Sequence, residues 1–365
     1  MAELLKPVVL GDGIQLRNRI CMGSMTRNRC TNGNKPTQVN VKHYADRARD
    51  GTGLIVAEGT FICPSGVEWP NAPVMYNDSH AEAWAKVTSE VHKVGGKILF
   101  QPWHPGRIQN ENMPMLKESG YPIYAPSKVP AKGGKYRTLE GLPGHTHNIT
   151  AIDNPETIIE QYRHSVTVST QGQTDASWIG QSELTRRLTS GHSNTRSDEY
   201  GGSVENRCRF PLEVLDVIIK VWGPRAETYT YLVKELMRRD LAFIDLSRRG
   251  CDEKELPPKY DPLTDFGPLV KYPGSRTMLM VNHEYTVEEA RHLIQKERID
   301  LVTFARPFIY NPVTIQDLIS RIKKGVPFAL NTRGGKVNYG PFQDPNENYN
   351  DWPSSEQEGQ PIAGY

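Results

Sequence analysis

No run in this 365-residue chain approaches the ~18 consecutive apolar residues of a membrane span, and the opening MAELLKPVVLGDGIQLRNRI lacks the apolar core of a signal peptide. The expectation is a cytoplasmic protein with no membrane partner. Charge of one sign is equally lacking: 44 Lys and Arg stand against 42 Asp and Glu, which leaves no field to hold a nucleic acid. A small molecule is the expected partner. Cysteine is scarce, and Cys21, Cys30, Cys63, Cys208 and Cys251 show no CxxC or Cys/His zinc spacing, so they read as reduced thiols and neither a disulfide frame nor a metal site. Internal repeats and low-complexity tracts are absent too.

What is present is a rhythm. Short apolar runs alternate with longer amphipathic segments, the βα pattern of a parallel sheet or barrel. The strand candidates are Arg19–Met25, Gly53–Phe61, Lys97–His104, Ala242–Ser247, Thr277–Asn282 and Asp300–Ala305. Between them DSHAEAWAKVTSEVHKVG opens on an Asp/Ser cap and closes on Gly95, and NPETIIEQYRHSVTVS carries Pro155 as an early-helix marker. The length suits one barrel domain over residues 1–345, followed by a polar tail over 346–365.

Six segments then point one way: NRICMGSMTRNR, WPNAPVMYNDSHAEAWAKVTSEVHKVGGKILFQPWHPGR, YRTLEGLPGHT, NTRSDEYGGSVENRCRF, DLVTFARPFIYNP and GGKVNYGPFQDPNENYNDWP. In order and in content the chain resembles the Old Yellow Enzyme family of NADH:flavin oxidoreductases. The resemblance implies a (β/α)8 barrel of TIM type, an FMN cofactor reduced by NAD(P)H, and a small enone or enal substrate, in particular a secondary metabolite. It also implies roles: Thr26 for the hydroxyl on the flavin carbonyl, Gln101 for the pyrimidine edge, and Arg306 for the phosphate, which suits a fork donor facing a dianion. Trp103 falls beside the substrate pocket, and Tyr339 in NYGPF resembles the tyrosine that overhangs it.

Other positions depart from the pattern. Counting back from Asn194, the family's carbonyl-binding His and Asn and its proton-donating Tyr fall on Trp178, Gln181 and Glu183. Trp178 would wall the pocket, Gln181 still offers a carbonyl donor, and Glu183 is a candidate acid or base. Between the helix ending at Gly223 and the helix predicted over Ala226–Asp240 there is no room for a fifth strand, which predicts an incomplete or distorted barrel and leaves Arg225 without the strand that would aim it. His283 and Glu284 stand where the family places two glycines, and Ala305 stands for a third. A carboxylate ~8 Å from a phosphate costs about 2 kcal/mol per phosphate charge at an effective dielectric of 20.

The activity implied is NAD(P)H-driven reduction of an activated C=C bond. Two alternatives stay open: a redox-neutral isomerase or cyclase on the same barrel, with FMN binding lost and Glu183, His104 or Tyr339 moving protons, and a catalytically silent member. Oligomeric association is open as well.

Overall fold

The computed structural model describes residues 2–11, 13–131, 144–171, 184, 188–222, 235–238, 241–248, 261–311, 318–334, 339–340 and 342–352. Six parallel strands form its main sheet: β1 Ile20–Met22, β2 Leu54–Val56, β3 Ile98–Leu99, β4 Phe243–Ser247, β5 Met278–Asn282 and β6 Leu301–Phe304. Their order is β4-β5-β6-β1-β2-β3. The first strand therefore lies against the last, with Val302 opposite Ile20 and Phe304 opposite Met22. Pairing of the first strand with the last is the mark of an α/β barrel, and among the described residues the sheet ends at β3 on one side and at β4 on the other.

All six predicted strands form, and two are interrupted. The stretch predicted over Gly53–Phe61 splits into β2 and a short Thr60–Phe61 strand, and Lys97–His104 splits into β3 and Pro102–Trp103. The two outer pieces pair with each other, Thr60 opposite Pro102, and carry the sheet up to the rim of the barrel. Interior side chains of the strands, among them Cys21, Leu54, Val56, Leu99, Met280 and Leu301, pack on Leu10 and Leu16. Those two leucines belong to an antiparallel hairpin, Val8–Leu10 with Ile14–Leu16, that plugs the barrel floor. Gly11 makes the hairpin turn at φ +53°, where a Cβ would come within 2.9 Å of the Ala242 side chain.

Amphipathic helices cover the outside: α1 Gln38–Arg49, α2 Asp78–Lys93, α3 Glu156–Gln171, α4 Val204–Trp222, α5 Pro262–Val270 and α6 Val287–Gln295. One predicted helix boundary shifts slightly and another holds. The cap of α2 is Asn77, whose side chain accepts from the His80 N–H, and Asp78 is the first helical residue. Gly95 does follow the helix in the left-handed conformation, φ +71°. Helices α3 and α4 pack through Ile158, Tyr162, Val166, Phe210 and Val214. The segment in which a fifth strand is predicted to be missing, 223–234, lies outside the described residues, as does Arg225.

Within the stretch predicted as a polar tail, residues 346–352 pack on the barrel. Tyr349 has no exposed surface, and its ring stacks on His43 at 3.8 Å with an interplanar angle of 7°. Arg27 stands over the same ring at 5.0 Å, and Asn40 donates to the Tyr349 hydroxyl at 3.3 Å. Tyr349→Ala removes all of these contacts and opens a cavity, so it should cost about 3 kcal/mol, read as a lowered denaturant midpoint. An unchanged midpoint would show that the segment contributes nothing to the fold.

Candidate active site

The C-terminal ends of the strands gather the predicted cofactor residues at one rim. Thr26 follows β1, half-buried. Gln101 follows β3, 9% exposed, and its Oε1 accepts from Ser24 Oγ at 2.5 Å. With its oxygen engaged, Gln101 keeps its amide NH2 for a ligand. Gly59 makes room beside it: a Cβ there would lie 3.4 Å from Gln101 Oε1 and 3.5 Å from the Trp103 ring.

Trp103 belongs to an aromatic wall. It packs with Phe61, Val67 and Trp69, and the Trp69 ring stacks on Tyr339 at 4.5 Å. Tyr339 is 41% exposed, and its carbonyl accepts from Asn28 Nδ2 at 2.9 Å, which fixes this residue of the C-terminal region to the loop after β1.

The opposite part of the rim is cationic and strained. Arg306 follows β6 and is exposed. The residues after β5, His283 and Glu284, both adopt left-handed backbone, φ +69° and +61°. Residues with a Cβ pay roughly 1–2 kcal/mol each for that conformation, so the glycine-type turn is kept although the glycines are not. The two side chains, 39% and 53% exposed, lie 3.8 Å apart at His283 Nε2 and Glu284 Oε1. Arg248, after β4, is committed elsewhere: it pairs with Glu289 and Asp261 and lies 3.7 Å over the Tyr285 ring. Of Arg248 and Arg306, the arginines that follow β4 and β6, only Arg248 makes an ion pair among the described residues.

His104 is fully buried. Its Nδ1 accepts from the Gly106 N–H at 3.1 Å, and burial pushes its pKa down to about 3. The imidazole is thus neutral at physiological pH, with its proton on Nε2. The His104 carbonyl receives the Leu184 N–H at 3.1 Å, and Leu184 also packs on Gly106. Trp178, Gln181 and Glu183 lie outside the described residues.

Sequence reasoning missed two carboxyls, one buried and one half-buried. Glu58, at the end of β2, is 1% exposed and accepts from the Arg27 N–H at 3.0 Å and the Tyr44 hydroxyl at 3.3 Å. Asp245 lies in β4, where Asn282 Nδ2 donates to its Oδ2 at 2.6 Å while Oδ1 has neither partner nor solvent. Burial raises Asp245 to about pH 6. The signal was a lone acid within the apolar run AFIDLS, where a barrel strand has no solvated face to put it on. A recess of about 690 Å3 between α1 and α2 on the outer wall is a different matter: Lys42 and Arg49 pair with Asp46, and Lys93 pairs with Glu90. Those five charges are already answered.

A parallel barrel sheet with a glutamine, an aromatic wall and an arginine around its C-terminal rim is the frame of a barrel oxidoreductase that binds a phosphorylated ring cofactor. The sequence model of the NADH:flavin oxidoreductase / NADH oxidase family matches residues 3–248, and the chain belongs to that family. It is similar to a protein of Leishmania infantum named probable flavin mononucleotide-dependent alkene reductase, 30% identical over 361 residues, 89% of this chain and 91% of that one. A protein of Claviceps fusiformis named probable inactive dehydrogenase is 28% identical over 384 residues, 96% and 94% of the two chains. Among solved structures, morphinone reductase superposes with a TM-score of 0.81 at 28% identity, over 99% of this chain and 98% of that one. The barrel of TIM type is thereby established, and FMN and NAD(P)H are the cofactors of the family. Among the described residues no helix is long and apolar enough to cross a membrane.

Asp245 makes the site's stability depend on pH. Unfolded, an aspartate titrates near 3.9; folded, this one titrates about two units higher. Below pH 4 both states are protonated and nothing is lost. As pH rises through 6 the folded protein must ionise a buried group, which costs on the order of 2 kcal/mol. Asp245→Asn should therefore melt a few degrees above the wild type at pH 7.5, with the gap closing toward pH 4.5. Equal melting temperatures across that range would mean that Asp245 ionises freely.

Proposed function

We propose that the protein is an FMN-dependent NAD(P)H oxidoreductase that reduces the activated C=C bond of a small α,β-unsaturated carbonyl compound, in particular a secondary metabolite. The observation that carries this reading is the convergence of Thr26, Gln101 and Arg306 on the C-terminal rim of the parallel sheet, with Gly59 leaving space beside Gln101. The residues present fit the cofactor: the Gln101 amide toward a pyrimidine edge, the Thr26 hydroxyl toward a ring carbonyl, and Arg306 with the left-handed 283–284 turn toward a phosphate. When bound there, FMN would supply the hydride chemistry that couples oxidation of NAD(P)H to reduction of the enone or enal.

The protein's own part is positioning and proton delivery. Trp69, Trp103 and Tyr339 form an apolar wall for the substrate and exclude water from one side. Tyr339, partly exposed and pinned through its carbonyl and ring, is a proton donor at the mouth. Gln181 is assigned to the substrate carbonyl, Trp178 to the pocket wall, and Glu183 to a second proton-transfer role. His104, neutral and walled in, positions the 104–106 loop. The reading as a catalytically silent member draws on the Claviceps relative's name together with the replaced residues at 178, 181 and 183.

The visible spectrum of the purified protein separates these readings. Stoichiometric FMN released on denaturation, and NAD(P)H consumption on adding a cyclic enone, are the expected results; colourless protein that ignores added FMN would reject the reductase. Arg306→Ala should weaken FMN binding by at least tenfold, since a charge-assisted hydrogen bond contributes about 1.5–3 kcal/mol. The pair His283→Gly and Glu284→Gly should act in the opposite direction, strengthening it by tenfold or more, because it removes a carboxylate near the phosphate and two strained Cβ atoms. Fluorescence titration of FMN against each variant measures both.

A further inference from the structure

Two strand ends that are not neighbours in the main sheet are joined above it. β1 ends at Met22 and β3 at Leu99, with β2 between them. Ser24 stands two residues past β1 and Gln101 two residues past β3, and the Ser24 hydroxyl donates to Gln101 Oε1 at 2.5 Å. Two strand spacings, roughly 10 Å, separate the backbones, so the bond crosses the end of β2. Beside it, after β2, is Gly59, where a Cβ would lie 3.4 Å from the same Oε1.

Both ends of this bond are carried on fixed backbone. The Gly23 N–H donates to the Phe304 carbonyl at 2.9 Å, which holds the residue before Ser24 against β6, and the Gln101 carbonyl accepts from the Thr60 N–H at 2.9 Å. The donor end of the Gln101 amide is left over. Nε2 makes no hydrogen bond among the described residues, and unlike Asp245 Oδ1 it is not sealed from solvent. Ser24, Met25 and Thr26 are each half-buried, so this part of the rim is open to a ligand.

An amide held by packing alone can turn over, exchanging donor for acceptor at nearly constant shape. The spacing to Ser24 opposes that exchange. An O–H···O bond reaches down to about 2.5 Å, whereas N–H···O bonds begin at about 2.7 Å, so a turned amide with Nε2 against Ser24 Oγ has to push the two side chains apart. The hydroxyl thus selects one orientation, with oxygen inward and NH2 toward the mouth. A pyrimidine edge alternates carbonyl, imide N–H and carbonyl, and an amide free to turn serves either kind of group. An amide held this way serves only the carbonyl.

We propose that Ser24 locks the polarity of the Gln101 amide, so that Gln101 reads a ring edge as a donor alone and gives no acceptor to the imide N–H. Ser24 is then a positioning residue that acts through Gln101 and sets which edge chemistry the site accepts. The proposal rests on the FMN reading above and adds to it a residue after β1 that sequence reasoning did not single out.

The test is fluorescence titration of FMN, and of FMN methylated on its imide nitrogen, against wild type and Ser24→Ala. The substitution removes one oxygen from a half-buried residue, so the variant should fold as the wild type does. Methylation removes the imide N–H, and whatever contact the methyl itself makes is common to both proteins. The readout is therefore the preference for FMN over its methyl derivative, compared between variant and wild type. Released from Ser24, the amide turns its oxygen to the imide N–H, and the preference is expected to rise about tenfold, the effect of one added hydrogen bond. A merely structural role for Ser24 shifts both ligands equally and leaves the preference alone. A preference that is unchanged or smaller in the variant overturns the lock while FMN binding by the wild type leaves the reductase reading standing. Loss of all flavin binding in the variant overturns it also, because Ser24 would then be part of the seat itself. A wild type that binds no FMN overturns both proposals.

Discussion

A carboxyl group with almost no exposed surface, Glu58, is the interaction on which the barrel mouth depends. It ends β2 and receives the backbone N–H of Arg27 and the hydroxyl of Tyr44, while its own N–H donates to the Tyr44 oxygen at 3.0 Å. Three elements are tied at one point: the loop after β1, the end of β2 and helix α1. The tie continues outward, since Arg27 Nη2 donates to the Asn348 carbonyl at 2.6 Å and Arg29 Nη2 to the Glu347 carbonyl at 2.9 Å. The C-terminal segment is thereby fastened across the front of the barrel. Burial raises the Glu58 pKa despite the two arginines, and lowers Arg29 to about 9. Removing either sign would leave the other buried and unanswered, which is the costly way to break such a cluster.

The cluster sits one residue from the candidate site on both sides. Thr26 precedes Arg27, and Gly59 follows Glu58. Any tilt of the cluster moves Thr26 and the gap beside Gln101 together. Asn28 carries the same rigidity to Tyr339 through that residue's carbonyl and to the 71 position through the Asn71 N–H at 2.7 Å. The aromatic wall and the cofactor residues are therefore one preorganised body, with their geometry set by a polar cluster away from the reacting atoms.

How much of this was legible in the sequence depends on what each residue answers to. Strands β1 to β6 could be read because a barrel strand buried on both faces must be an apolar run, and the runs were present. Thr26, Gln101 and Arg306 were singled out by resemblance alone; in the fold each follows a strand of the main sheet, and their roles toward a cofactor belong to the proposal. Asp245 and Glu58 were not legible, because their meaning lies in partners from distant segments: Asn282 is 37 residues away and Arg27 31. A lone acid in an apolar run announces an anomaly without naming what answers it. Tyr349 misled for a related reason, since the polar composition around it reads as a tail, whereas its ring is buried by helix α1 and two arginines.

His283 and Glu284 show that backbone shape can outlast the residue type that first permits it. The turn after β5 keeps two successive left-handed residues although neither is glycine. Such strain persists only where the surroundings over-determine it. Here they do: Tyr285, the next residue, has its ring under Arg248 and its hydroxyl on Asp261 at 3.0 Å, and Thr286 then caps α6 through the Glu289 N–H. On the other side β5 is paired to β4 through Asn282. With both ends anchored, residues 283 and 284 have no other path. The geometry of the turn is thus imposed by its anchored ends, and the residue types at 283 and 284 decide only what strain it carries and which side chains it presents.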